Sequence, residues 1–286
     1  MNEMKNFAER KYLSQKNLVH YHDDGSWPFL HIKDPTVLAR FFALLKQEAI
    51  KKNKSGWVFC RGQSSHHKSM LPSLFRGENE KYPVSILLDA QEHLMNEIKS
   101  NIQVERFQKE NLPALLQHYG IKTSWLDLVD NLYIAIWFAT NTIKNGDKKG
   151  PIKVESSTET YGWICFISNS AKSEADLISV DLRTGHHSLS VRPHAQHGIS
   201  ATRDSSIWRD NNKDLKKYVV ATVRFEISEK WYLSGYMASP EYLFPNSNLD
   251  NTLKNLQQPK LLKIISETEK KYSLYDGALG YANWVN

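Results

Sequence analysis

Cysteine is scarce in this chain. Its 286 residues include 2, Cys60 and Cys165. That is too few for a disulfide framework, and both lie in apolar runs, "WVFC" and "WICFI", as buried thiols of a reducing compartment do. No Cys-x-x-Cys and no His-Glu-x-x-His occurs, so the usual zinc spacings are missing. The 11 histidines cluster at 66–67, 186–187 and 194–197. Pro193 and Gly198 break the helix that would put His194 and His197 on one face, and no metal is expected. There is no glycine-rich phosphate loop and no Gly-x-Ser-x-Gly elbow. No apolar run reaches membrane-spanning length, so no membrane partner is expected. "MNEMKNFAERKYLSQ" has no apolar centre of the secretory kind, which places the chain in the cytoplasm.

What is present is an ordinary globular balance, 41% hydrophobic and 24% charged. The 8 Trp, 13 Tyr and 11 Phe argue against disorder. Lysine and arginine, 37 together, exceed the 31 acids, giving a net charge of +6. A basic balance favours anionic partners: nucleic acid, a nucleotide or a phosphate. The basic clusters themselves, "KKNK" (51–54), "KNGDKKG" (144–150) and "KDLKK" (213–217), look like solvated turns.

Residues 1–34 are polar, without a strong period, and form an N-terminal extension. Asp34 caps and Pro35 opens a helix whose core face carries Val37, Leu38, Phe41, Phe42, Leu44 and Leu45. Gly56 then breaks the chain before the strand "WVFC", with Arg61 at its mouth, followed by Gly62 and Gln63. "VSILLDAQEHLMNEIKSNIQ" is a second helix. "NLPALLQHYG" is a third, ended by Gly120. "NLYIAIWFATN", apolar nearly all round, is a central buried helix with Asp130 as its N-cap. A polar, turn-rich excursion follows, then the strands "WICFISN" and "YVVATVRFEIS". The second alternates Val219, Ala221, Val223, Phe225 and Ile227 with polar residues. A closing helix starts near "LDNTLKNLQQPKLLKII". Helices and strands mix without regular βα alternation, which predicts an α+β fold of small mixed or antiparallel sheets packed with helices.

Several short motifs recur in a known order: Phe59 to Gln63, Pro72 to Arg76, Gln117 to Gly120, Thr123, Leu126-Asp127 and Ala135 to Ala139. Arg192, Gln196 to Gly198 and "YLFPNSNLDN" (242–251) follow. This pattern resembles the FRG domain, a family named for a Phe-Arg-Gly motif and found mostly in bacteria and their phages. The likeness spans roughly residues 40–255, and segment 117–139 is its specific part. It divides the chain into an extension (1–34), an FRG domain (35–255) and a C-terminal helix and tail (256–286). The family's Phe immediately before the Arg is Cys60 here, and the literal "FRG" at Phe75–Gly77 is a coincidence.

The motif order is further similar to ADP-ribosyltransferases, and that resemblance implies a pocket that binds NAD and cleaves it to transfer ADP-ribose to a protein or nucleic-acid acceptor. Arg61 and Gly62 match the strand end that grips the dinucleotide. Thr123 and Ser124 match the hydroxyl before a helix. The third element, normally an acid, falls at Gln196, which carries no charge, so the acid must come from elsewhere: Asp127, Asp130 or Glu241. The chemistry needs these types. A guanidinium holds a pyrophosphate bidentately, Gly62 would admit the ligand close to the backbone, and a carboxylate stabilises the cationic centre left by nicotinamide. Gln63, His118 and Tyr119 complete the expected ligand-binding set.

Each residue also has a plainer reading. Arg61 and Asp127 could form a buried ion pair, Gln63 could close a strand end, and His118 could be a satisfied structural histidine. The alternative to catalysis is a ligand- or partner-binding sensor module, of the kind associated with phage defence or toxins. A third is nucleic-acid binding, suggested by charge alone.

Overall fold

The computed structural model describes residues 2–10, 16–23, 27–53, 57–67, 69–101, 111–144, 152–168, 177–185, 190–204, 208, 214–231 and 239–274. The histidine pair at 186–187 and most of the basic stretch 144–150 lie outside the described residues. The chain forms an α+β fold built on one eight-stranded sheet, larger than the small sheets expected from sequence, plus a two-stranded hairpin.

The helix α1 (Asn2–Ala8) precedes β1 (Val19–His22) and β2 (Phe29–Ile32), an antiparallel pair at one edge of the sheet. Residues 19–32 are thus two strands of the sheet rather than an appendage to it. Val19 of β1 and Leu30 and Ile32 of β2 join the core, with Tyr21 packed against it. The intervening His20, His22 and His31 make the stretch look polar overall. α2 (Pro35–Asn53) follows. As expected, Asp34 caps it, its Oδ1 accepting the N–H of Thr36 at 2.8 Å.

β3 (Phe59–Gln63) begins two residues later than the apolar run suggested and continues past Arg61. Arg61 therefore sits in mid-strand, not at a strand mouth. α3 (Val84–Asn101) and α4 (Leu112–Gln117) lead to β4 (Leu126–Val129) and α5 (Leu132–Thr140). α4 is capped by His118 and not by Gly120, which lies two residues further on in the left-handed region at φ 83°. The cap of α5 is Asn131, whose Oδ1 accepts from Tyr133 N and Ile134 N, and not Asp130. α5 is the expected central helix: Ile134, Ala135, Ile136, Trp137 and Ala139 are all buried. Each large side chain so buried contributes about 1.5–3 kcal/mol.

β5 (Asn141–Lys144) and β6 (Lys153–Ser156) form the hairpin. β7 (Tyr161–Ile167), β8 (Leu177–Asp181), the short α6 (Leu182–Gly185) and α7 (Val191–Ala195), β9 (Gly198–Arg203) and β10 (Val219–Glu226) complete the sheet. The strand order is β1-β2-β10-β7-β3-β4-β9-β8. Among the described residues, only β2 and β10 pair in parallel. α8 (Pro240–Leu243), α9 (Asn251–Leu256) and α10 (Pro259–Tyr272) follow, and α10 packs on α3. The sheet separates two apolar clusters. Ile164 and Phe166 of β7 enter one, with α2 and α5; Cys165 and Ile167 enter the other, with α3, α4 and α10. That is the period-two consequence of a strand buried on both faces.

The sheet has a weak line. β3 and β7 pair at five positions and β4 and β9 at four, but β3 meets β4 at one, Cys60 opposite Val129. Continuing that register would oppose Gly62 and Asp127. There the strands part, and the Arg61 side chain bridges the gap, its Nη1 donating to the Asp127 carbonyl at 2.6 Å.

Gly62 is required by packing. A Cβ there would lie 1.8 Å from the Ala135 carbonyl oxygen and 3.0 Å from Ala139 N, both backbone atoms of α5 that cannot turn aside. The Gly62→Ala protein should therefore lose about 3 kcal/mol of stability through overpacking. A urea denaturation midpoint equal to that of the wild type would contradict this packing.

Candidate functional site

The parting of β3 and β4 opens a cavity of about 200 Å³. It takes side chains from both faces of the sheet. Gly62, Asp127 and Val129 line it with Phe138 and Ile143 from one side, and Gln117, His118 and Gly120 from the other. Gln196 and Phe244 complete the wall. Of the residues singled out from sequence, Arg61, Gly62, His118, Asp127 and Gln196 meet here. Gln63, Tyr119, Thr123, Ser124 and Glu241 are not in the lining.

Arg61 makes no ion pair with the Asp127 carboxylate; it binds that residue's carbonyl instead. Its Nε is out of contact with solvent and has no partner. Burial pushes the guanidinium down from its usual range, opposed by the Asp127 charge and the Cys165 thiol. A half-buried cation whose Nε is sealed from solvent without a partner, at a cavity wall, is the arrangement that an anionic ligand would complete.

The Asp127 carboxylate points the other way, toward His118. Asp127 Oδ1 lies 3.4 Å from His118 Nε2, at an angle that falls short of a hydrogen bond. His118 Nδ1 is 3.0 Å from Gln196 Oε1. Gln196 Nε2 in turn donates to the Leu243 carbonyl at 2.9 Å. The side chain of His118 is 2% exposed and that of Asp127 35%, so the carboxylate is the member of the pair that can meet a ligand. Cys60 also lines the cavity, but burial raises its thiol well above the ordinary range. It is a wall atom and not a nucleophile.

The motif around Gln196 is explained residue by residue. Gln196 orients the His118 ring. Gly198 makes room for that ring, since a Cβ there would lie 2.8 Å from its Cε1. His197 between them has φ 52° and is pinned by Asp130 Oδ1 and Arg183 Nη1, each at 3.2 Å from Nδ1. Asp130 receives Arg183 through both oxygens, at 3.2 and 2.7 Å. It is therefore a brace for this turn, placed outside the cavity lining.

The remaining predicted residues serve as supports. The Tyr119 hydroxyl donates to both oxygens of buried Asp250, at 3.0 and 2.8 Å. Burial, then the Asp250 charge, raises it well above the usual range for tyrosine. Asp250 also accepts from Arg192 N at 2.9 Å and Leu253 N at 3.0 Å. The Arg192 guanidinium lies against the rings of Tyr119 and Phe244 and donates to the His118 carbonyl at 3.1 Å. Thr123 Oγ1 donates to Gln117 Oε1 at 2.9 Å, and Ser73 Oγ reaches the same oxygen at 2.7 Å. That network docks the Pro72 to Arg76 segment on α4. The Ser124 backbone is held by Gln91 Oε1 at 2.7 Å. Gln63 Oε1 takes a 3.7 Å contact from the Cys165 thiol. Glu241 lies on α8, and its helix serves the site through Leu243 O and the following Phe244. Those two, with Phe138 and Ile143, are site residues that were not named from sequence; Phe138 falls in the motif Ala135 to Ala139 and Leu243 and Phe244 in "YLFP", while Ile143 had no signal.

No curated protein and no solved structure matches the chain. Among family models, that of the FRG domain matches residues 55–148. The match contains Arg61, His118 and Asp127 and stops short of Gln196 and Phe244. Over this stretch, then, the chain is similar to the FRG domain family.

Proposed function

We propose that the cavity binds an anionic nucleotide, with NAD the specific candidate, and that the protein cleaves it to transfer ADP-ribose. The observation that carries this reading is the unpartnered, buried Nε of Arg61 in the same cavity as the partly exposed Asp127 carboxylate. The first is a site for phosphate oxygens. The second is the acid that the Gln196 position lacks. Phe138, Ile143 and Phe244 supply apolar walls for a ring. At about 200 Å³ the cavity is smaller than the roughly 300–1,000 Å³ of sites that enclose whole drug-sized ligands. It suits one ring-and-sugar half of a dinucleotide, with the pyrophosphate at Arg61.

Loss of nicotinamide leaves a positive centre on the ribose, which a nearby carboxylate stabilises. Asp127 is the assigned group. A binding-only sensor is the second reading, favoured by the engagement of Asp127 with His118, which leaves one oxygen for a ligand.

Two outcomes follow. NAD should raise the melting temperature of the wild type, and Arg61→Ala should weaken NAD binding about 10–100-fold, the loss expected for a charge-assisted contact of about 1.5–3 kcal/mol. Calorimetric titration checks it; equal affinities would remove Arg61 from the ligand. Nicotinamide release, followed by chromatography, should fall about 10²–10³-fold in Asp127→Asn while NAD still binds. Binding without release in the wild type, with protein and nucleic-acid acceptors supplied, would leave the sensor reading standing.

A further inference from the structure

The hydrogen-bond chain behind Asp127 fixes where a proton must be. It begins at the Leu243 carbonyl, which can only accept. Gln196 Nε2 lies 2.9 Å from that oxygen, so the amide orientation is settled: the flipped amide would set two oxygens against each other. Gln196 Oε1 is therefore the atom 3.0 Å from His118 Nδ1. An amide oxygen can only accept, so Nδ1 carries a hydrogen. A neutral ring would then present a bare lone pair at Nε2. That atom faces Asp127 Oδ1, a second acceptor, at 3.4 Å. Neither atom touches solvent and neither has another partner. Two acceptors 3.4 Å apart and out of contact with solvent are unfavourable even though they are not collinear, and one proton shared between them relieves the conflict.

We propose that His118 and Asp127 hold one proton between Nε2 and Oδ1, and that this pair works as the acid–base group of the cavity, with Asp127 Oδ2 facing the ligand. The nearest cation to the carboxyl fits. Arg61 Nη1 donates to the Asp127 carbonyl, which favours an ionised carboxylate. His118 is then a positioning residue and proton store, acting through Asp127.

The inference deepens the transferase reading and rests on it for the reaction. There, the ribose–nitrogen bond breaks and its electron pair leaves with nicotinamide. A bond forms from an acceptor hydroxyl oxygen to the same carbon. The hydroxyl proton passes to Asp127 Oδ2 and on to solvent. Charge balances, because the cationic nicotinamide ring of NAD leaves as neutral nicotinamide and one proton is released. The acceptor class implied is a hydroxyl, from water or a polymer, since the pair offers a base and no covalent nucleophile.

The test is nitrogen NMR of protein labelled at histidine, the His118 signals being identified by their loss in His118→Gln. Nε2 should resonate as a protonated nitrogen in the wild type and as an unprotonated one in Asp127→Asn. His118→Gln should also lower nicotinamide release about 10²-fold while the NAD-induced rise in melting temperature persists. An unprotonated Nε2 in the wild type, unchanged in Asp127→Asn, overturns the proposal even if nicotinamide is released. A protonated Nε2 that reverts in Asp127→Asn upholds the proton pair even if no nicotinamide ever appears, in which case the transferase reading alone falls.

Discussion

Cys60 opposite Val129 is the single register pair that ties β3 to β4, and the site exists because the ladder stops there. Unpaired backbone inside a sheet is costly. The chain offsets that cost with a side chain: the Arg61 guanidinium occupies the Asp127 carbonyl that the facing strand leaves unmet. The same act brings a cation into the gap and turns the Asp127 carboxylate away, toward His118. Gly62 lets α5 lie directly on β3, so the opening is walled by α5 and does not collapse onto it. Sheet geometry, charge and cavity are one arrangement.

Around it the protein uses arginines in three different ways. Arg61 faces the cavity with a donor to spare. Arg192 is a buried plank between Tyr119 and Phe244 that holds the His118 backbone. Arg183 clamps Asp130 and Asp181 and so fixes the left-handed turn at His197. Burial and partner identity distinguish them. The two clamped arginines explain why His118 and Gln196 meet with their ring and amide already oriented.

Much of the local structure was legible. Asp34 announces α2 because a cap acts within one turn, and the alternation in β10 and the all-round apolar surface of α5 follow from period alone. Arg61, His118, Asp127 and Gln196 could be grouped only through a resemblance, since nothing local links residues so far apart in the chain. The failures share a cause. The packing role of Gly62 was hidden because the neighbour that imposes it, the Ala135 carbonyl, is 73 residues away. Tyr119 and Thr123 looked like ligand groups because their buried acceptors, Asp250 and Gln117 Oε1, cannot be inferred from spacing. β1 and β2 hid because histidine fills the positions opposite their apolar residues, which lowers the hydropathy that would mark a strand.

The seam between β3 and β4 also has a mechanical meaning. On one side stand β1, β2, β10, β7 and β3; on the other, β4, β9 and β8. Hydrogen bonds make each block stiff, while the boundary has little backbone to resist shear. A molecule touching Arg61 and Asp127 at once is a cross-brace over that boundary. Its presence would stiffen the joint between the two blocks, where the backbone alone supplies one register pair.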